Sequence, residues 1–175
     1  MTVTAPTPAP VGPTPATVGP TPVTSVAAGQ SAALTVMRRI FEEGFATGDT
    51  AVVDEVVSPD LVEHQFGLAG TGADAVSHVK DAIRRVHRAV PDMVFTIEDV
   101  VHTGDTVWVR VQGRGTATGP YFGPPSGRPV QITVIDIARV VDGRITEHWG
   151  VPDRFALLAQ TGALDRLSRP PHQVV

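Results

Sequence analysis

The chain has 175 residues, 14 Lys+Arg against 18 Asp+Glu, 42% hydrophobic residues and no cysteine, a makeup that fits one ordinary globular domain. Without cysteine there is no disulfide framework, no Cys-ligated zinc or iron–sulfur site and no thiol nucleophile, so the fold must rest on packing. A formal net charge of −4 argues against the broad basic footprint that engages nucleic acid or an anionic membrane, and suits a small neutral or weakly polar ligand better.

These averages conceal a division along the chain. Residues 1–37 contain no Asp, Glu, Lys or Arg, and seven of the sixteen prolines lie between Pro6 and Pro22. The near-repeat Val11-Gly12-Pro13-Thr14-Pro15-Ala16-Thr17 and Val18-Gly19-Pro20-Thr21-Pro22-Val23-Thr24 is of low complexity, and each proline removes a backbone donor and holds its predecessor extended. Residues 1–30 therefore read as a disordered Pro/Thr-rich tail, residues 31–165 as the folded domain and residues 166–175 as a flexible C-terminal tail. No basic segment precedes an apolar core, so no signal peptide is expected. No window reaches the roughly 18 apolar residues of a membrane span, and a cytoplasmic protein is the expectation.

From Ser31, Leu34, Met37, Ile40, Phe41, Gly44 and Phe45 recur at three- and four-residue spacing, which predicts an amphipathic helix ending near Gly48. Asp49 is placed to cap a second helix carrying Val52, Val53, Val56 and Val57, stopped by Ser58-Pro59. Leu61 to Phe66 reads as a short extended segment, and Gly67 to Gly72 as a loop. Asp74 is the expected cap of a third helix, with Val76, Val79, Ile83, Val86 and Val90 on its apolar face, ending before Pro91. The hydrophobic period then falls to two. Val94 to Val101 and Thr106 to Arg114 read as a hairpin across Gly104-Asp105. The Gly/Pro-rich segment Gly119 to Gly127 precedes strand Val130 to Val141, which turns at Asp142-Gly143 into strand Arg144 to Val151. Helices first and an antiparallel meander afterwards define an α+β fold, a curved sheet with helices closing one face around a pocket.

Parity decides which polar side chains can meet in such a pocket. Val130, Ile132, Val134, Asp136, Ala138 and Val140 share one face of their strand, which sets a carboxyl group in an otherwise apolar row. Either the strand is shifted and Asp136 faces water, or the carboxyl is paired, or burial raises its pKa until it donates a proton near neutral pH. Across the Asp142-Gly143 turn, Thr146, His148 and Gly150 share a face, with Glu147 and Trp149 on the other, so His148 is expected beside Asp136. His64 lies next to a glycine-rich loop and is expected to enter the same cavity from its rim, where an imidazole can shuttle protons. Asp136 and two histidines also have the composition of a two-His, one-carboxylate metal site, but they lie in scattered segments without ligand spacing, so no metal is expected. Gly113, Gly115 and Gly119 lack the spacing and following helix of a phosphate loop. His78, His87, His102 and His172 read as surface or helix residues. Arg110, Gln112 and Arg114 alternate with Val107, Val109 and Val111, either as an outer sheet face or subunit contact or as a carboxylate-binding row.

The stretch Gly119-Pro120-Tyr121-Phe122-Gly123-Pro124-Pro125-Ser126-Gly127-Arg128, together with Ile135 to Asp153, resembles the SnoaL-like polyketide (ester) cyclases. Phe45-Ala46-Thr47-Gly48-Asp49, Ser58 to His64 and Leu157 to Gly162 support it. The resemblance implies a nuclear-transport-factor-2-like α+β cone, commonly a homodimer or higher homo-oligomer, whose apolar cavity takes a polycyclic or polyketide-derived substrate. It implies ring closure by intramolecular aldol condensation in secondary metabolism, without metal or cofactor. The acid of those cyclases falls on Gly150 here and their histidine on Asp136. In the related ketosteroid isomerases the position of Asp136 is an oxyanion-hole aspartic acid, that of His64 the carboxylate base and that of Phe41 an oxyanion tyrosine. The expected site is therefore Asp136 as general acid or oxyanion donor, with His148 and His64 as base or orienting partners, walled by Phe41, Phe45, Val134, Tyr121 and Phe122. The alternatives are isomerisation, hydration or epoxide or cyclic-ether chemistry in the same cone, or a non-catalytic small-molecule-binding protein.

Overall fold

The computed structural model of the chain describes residues 32–121 and 123–167. The expected N-terminal tail, Phe122, His172 and residues 168–175 lie outside these. Helix α1 (Ala32–Arg39) runs without a break into a π-helical segment, Ile40–Phe45, burying Val36, Met37, Ile40 and Phe41 along one side. The wider turn falls where Gly44 packs closely between Ile83 and Val52. The helix stops at Gly48, whose φ of 81° suits glycine.

Helix α2 (Ala51–Val56) has its cap one residue later than expected. Asp49 accepts a hydrogen bond from the Ala51 N–H (2.8 Å), but Thr50 is the residue preceding the helix. Val57 is not helical, and Ser58-Pro59 does not stop a helix. Both lie within strand β1 (Val57–Glu63). The register of β1 against its neighbour slips between Val57 and Val62, and a proline without an N–H is tolerated in such a stretch. After β2 (Gly70–Thr71), helix α3 (Gly72–Ala89) begins beyond Thr71, so Asp74 sits in its first turn rather than at its cap, where its charge complements the helix dipole.

Strands β3 (Val94–Thr103), β4 (Thr106–Thr116), β5 (Pro129–Val141) and β6 (Arg144–Pro152) form the antiparallel meander that the alternation predicts. The sheet order is β2-β1-β6-β5-β4-β3, with β1 parallel to β6. The sheet is curved but does not close on itself. Helices α4 (Arg154–Gln160) and α5 (Ala163–Leu167) follow, α4 packing on β5. The inward row of β5 is buried at every second position from Val130 to Val140, as its parity requires. It meets Val107, Val109 and Val111 of β4, and beyond them the apolar sides of the helices. Burial of each valine or isoleucine among them stabilises the fold by roughly 1.5–3 kcal/mol.

Parity holds less simply in β6. A bulge opposite Arg139 and Val140 aligns Ile145 with Val140 and His148 with Ala138. Ile145 is thus buried, while the Thr146 hydroxyl donates to the Arg139 carbonyl (3.3 Å) instead of joining His148 and Gly150 on the inner face.

Candidate active site

Between the helices and the inner face of the sheet lies a cavity with about 140 Å³ open to the centres of water-sized molecules, roughly ten times what one water needs. Phe41, Phe45 and Phe95 form an aromatic wall with ring centroids 5.4–6.1 Å apart. Val134 and Tyr121 also line the cavity. The expected wall residues thus surround one space, except Phe122, which is outside the described residues.

Asp136 faces inward and is only 6% exposed, so the strand is not shifted. Two strands bring its partners. His148 pairs across β5 with Ala138, and Gly150 with Asp136, so His148 and Asp136 are diagonal neighbours on the inner face. On its other side His148 pairs with Glu63 of β1. Glu63 is 2% exposed, and His148 Nδ1 donates to both its carboxylate oxygens (2.8 and 3.0 Å). His148 Nε2 lies 3.3 Å from Asp136 Oδ2. The imidazole is therefore clamped between two buried carboxyl groups.

That clamp stabilises the imidazolium. Burial by itself disfavours an imidazolium, but the charge of Asp136, its hydrogen bond and those from Glu63 outweigh burial and push the His148 pKa from 6.5 up to about 10. Of the three readings that the apolar row leaves open for Asp136, the structure shows the paired one, with Oδ2 3.3 Å from His148 Nε2. Two carboxyl groups and one imidazolium neutralise one another in part, which makes their joint burial tolerable.

One carboxylate oxygen of this cluster is left over. Asp136 Oδ1 is buried and has no hydrogen-bond partner among the described residues, while Asp136 lines the cavity. The cavity also receives Gln65, whose amide occupies the space above Gly150. A Cβ at residue 150 would collide with Gln65 Oε1 and stand 2.9 Å from Asp136 Oδ1. Gly150 thus makes room for a neutral amide next to a free carboxylate oxygen.

His64 does not enter the cavity. It lies on the opposite face of the sheet, stacked on Trp149 with ring centroids 4.6 Å apart, and its Nε2 donates to Glu147 Oε1 (3.0 Å). The hydrogen bond from His64, with help from Arg139, holds the Glu147 carboxyl below the usual carboxylate range. Asp136 and the two histidines are therefore not assembled as a ligand set. Arg110 and Arg114 face outward too, Arg110 pairing with Glu98 and Asp99 and Arg114 reaching Gln131, and neither they nor Gln112 line the cavity. His78 and His87 bond the Leu68 and Ala46 carbonyls and tie α3 to its surroundings.

Glu63 and Gln65 are the functional candidates that sequence reasoning passed over. Leu61, Glu63 and Gln65 share one parity, and Val62, His64 and Phe66 the other. The second row is the more apolar, so hydrophobicity alone turns His64 inward. The structure does the reverse, leaving Phe66 87% exposed. The available signal was Leu61, the large aliphatic residue nearest the strand centre, whose burial carries Glu63 with it.

Residues 35–161 match the family described as SnoaL-like polyketide cyclase. Among solved structures, TsrD from Streptomyces laurentii is 28% identical, with 78% of this chain and 98% of that chain covered at a TM-score of 0.67. IdmH from Streptomyces antibioticus, provisionally called a polyketide cyclase, is 35% identical over 73% of this chain and 96% of that chain, with a TM-score of 0.63. A protein with a ketosteroid isomerase-like fold from Catenulispora acidiphila, 16% identical over 73% of this chain and 92% of that chain (TM-score 0.58), shares the architecture. No curated protein sequence matches significantly.

Proposed function

The chain belongs to the SnoaL-like polyketide cyclase family, and on that premise we propose that it closes a ring in a polyketide-derived substrate by cofactor-free general acid–base catalysis in secondary metabolism. The observation that carries this reading is Asp136 itself, a carboxyl group in the wall of an apolar cavity whose Oδ2 is held by His148 while Oδ1 has no hydrogen-bond partner among the described residues. Oδ1 takes a proton from an acidic carbon between carbonyl groups. The resulting enolate carbon attacks a second carbonyl of the same molecule, a C–C bond forms, and the new alkoxide recovers the proton from Asp136. No net proton is consumed, so no cofactor is needed to balance the step. His148 touches Asp136 and compensates its charge. Glu63 acts through His148, fixing the ring by two hydrogen bonds, and is a positioning residue. Gln65 offers its amide to the enolate or alkoxide oxygen. His64, on the far face, has no part in the chemistry.

The test begins with the metabolites of a strain with and without the gene, which identifies the open-chain intermediate that accumulates. Turnover of that compound by Asp136→Asn should fall about a hundredfold or more while circular dichroism is unchanged. Undiminished turnover removes Asp136 from the mechanism.

Gly150 supports one second reading. The resemblance puts the acid of the cyclases at this position, and its absence suits a reaction needing one mobile proton, such as opening or forming a cyclic ether. Analysis of the product, a new C–C bond against a new C–O bond, separates the two.

A further inference from the structure

The lining of the cavity carries both signs of charge, with its acids buried and its arginines less so. Glu63 and Asp136 set two carboxyl groups against one imidazole. Arg85 of α3 and Arg154 at the start of α4 line the same cavity; Arg85 is solvent-exposed and Arg154 half-buried, so both reach nearer to solvent than Glu63 and Asp136. Arg85 makes no hydrogen bond or ion pair with any other described residue. The Arg154 guanidinium makes a single bond, from Nη1 to the Phe66 carbonyl (3.0 Å). The acids beside them in sequence are engaged elsewhere: Asp81 with Arg84 (2.8 Å) and Asp153 with the Ala156 N–H (2.9 Å). Two guanidinium groups without a carboxylate partner among the described residues thus share an apolar cavity with a buried acidic cluster.

We propose that the ligand of this cavity is an apolar molecule ending in a free carboxylate, which Arg85 and Arg154 hold on the side nearer to solvent while the rest of the chain runs inward to Asp136. The inference rests on the proposed function and specifies its substrate class. Guanidinium forks match a carboxylate in geometry and charge. At the inner end the same carboxylate would face Asp136 and Glu63, so a single charge sets the direction in which the substrate enters. A thioester still tethered to a carrier presents no anion at this point. The substrate is accordingly a released acid, and the reaction supplying it is one that hydrolyses an acyl thioester.

Calorimetry with octanoate, octanamide and octyl phosphate at low salt tests this on the intact chain. Octanoate should bind about tenfold or more tighter than octanamide. Arg85→Gln combined with Arg154→Gln should abolish that preference and leave octanamide affinity unchanged within about twofold. Arg85→Gln alone, at an exposed position, should reduce the preference without touching the fold. Equal binding of octanoate and octanamide, or a preference that survives the double substitution, overturns the inference and leaves the proposed function standing. A preference for octyl phosphate over octanoate also overturns it, in favour of a phosphate terminus. Asp136→Asn should lose turnover but keep the octanoate preference, which separates the two proposals. Failure of all three probes to bind also overturns the inference, while the proposed function stands or falls with turnover of the accumulating intermediate.

Discussion

His148 owes its proton to the two carboxyl groups on either side of it. The pKa of its imidazole rises on folding from 6.5 to about 10, so the folded chain binds this proton more tightly than the unfolded one. The stability it contributes is therefore complete below pH 6.5, declines as pH rises between 6.5 and 10, and is gone above that. Two outcomes are expected. The alkaline limb of the pH–kcat/KM profile should fall near pH 10, and a limb near 6.5 would show that His148 titrates as an ordinary histidine. Replacing His148 by Phe should destabilise the fold by roughly 3–5 kcal/mol, measured by urea unfolding at pH 7, because Glu63 and Asp136 then remain buried without a counter-charge. Part of this site was legible: the parity of β5 turns Asp136 inward. Parity alone does not bring His148 to it, because the register set by Val141 and Arg144 would place Trp149 opposite Asp136, and the bulge in β6 shifts His148 onto the inner face. Glu63 was not legible, since its row is less apolar than the competing row that carries His64.

Among the elements, β1 and the Gly-rich connection between β4 and β5 do most to shape the cavity. Strand β1 delivers Glu63 and, just beyond its end, Gln65, and the Ser58-Pro59 pair that reads as a helix stop lies inside it. Local sequence favours a break there, and the strand accommodates it where its register with β6 slips between Val57 and Val62. The glycines that fail as a phosphate loop have a packing reason instead. A Cβ on Gly115 would press on Val90, and one on Gly119 would fall within the Arg88 carbonyl group at the end of α3. The Gly119 N–H donates to the Ala89 carbonyl (2.9 Å), which fastens the segment leading to Tyr121 against α3. Gly119→Ala should therefore cost roughly 1–3 kcal/mol or more and weaken octanoate binding, since Tyr121 is displaced from the wall. Unchanged melting temperature and affinity would show that this segment yields freely.

For the whole molecule, the outer face of the sheet carries the next question. Val101, Trp108, Ile137 and Trp149 lie in register across β3, β4, β5 and β6, and Trp108 is 46% exposed. Ion pairs flank this row, Arg110 with Glu98 and Asp99 on one side and Arg139 with Glu147 on the other. An apolar stripe with charged borders is what a second copy of the chain would cover, and we propose a homodimer through this face. Sedimentation should show a dimer at micromolar concentration, with Trp108→Glu shifting it to a monomer. A monomeric wild-type chain removes the dimer. No helix among the described residues is long and apolar enough to cross a membrane.

Sequence alone determined the α+β class, the order of nearly every element, the meander and the inward direction of Asp136, because these follow from periods of 3.6 and 2 read within single segments. It misplaced His64 and missed Glu63, Gln65 and the two arginines of the cavity lining. Their positions depend on how β1 aligns with β6, more than eighty residues away, and on which helix faces close over the sheet. A pattern within one segment cannot encode a register between two, and only the folded chain, by burying Leu61 and pairing Glu63 with His148, decides it.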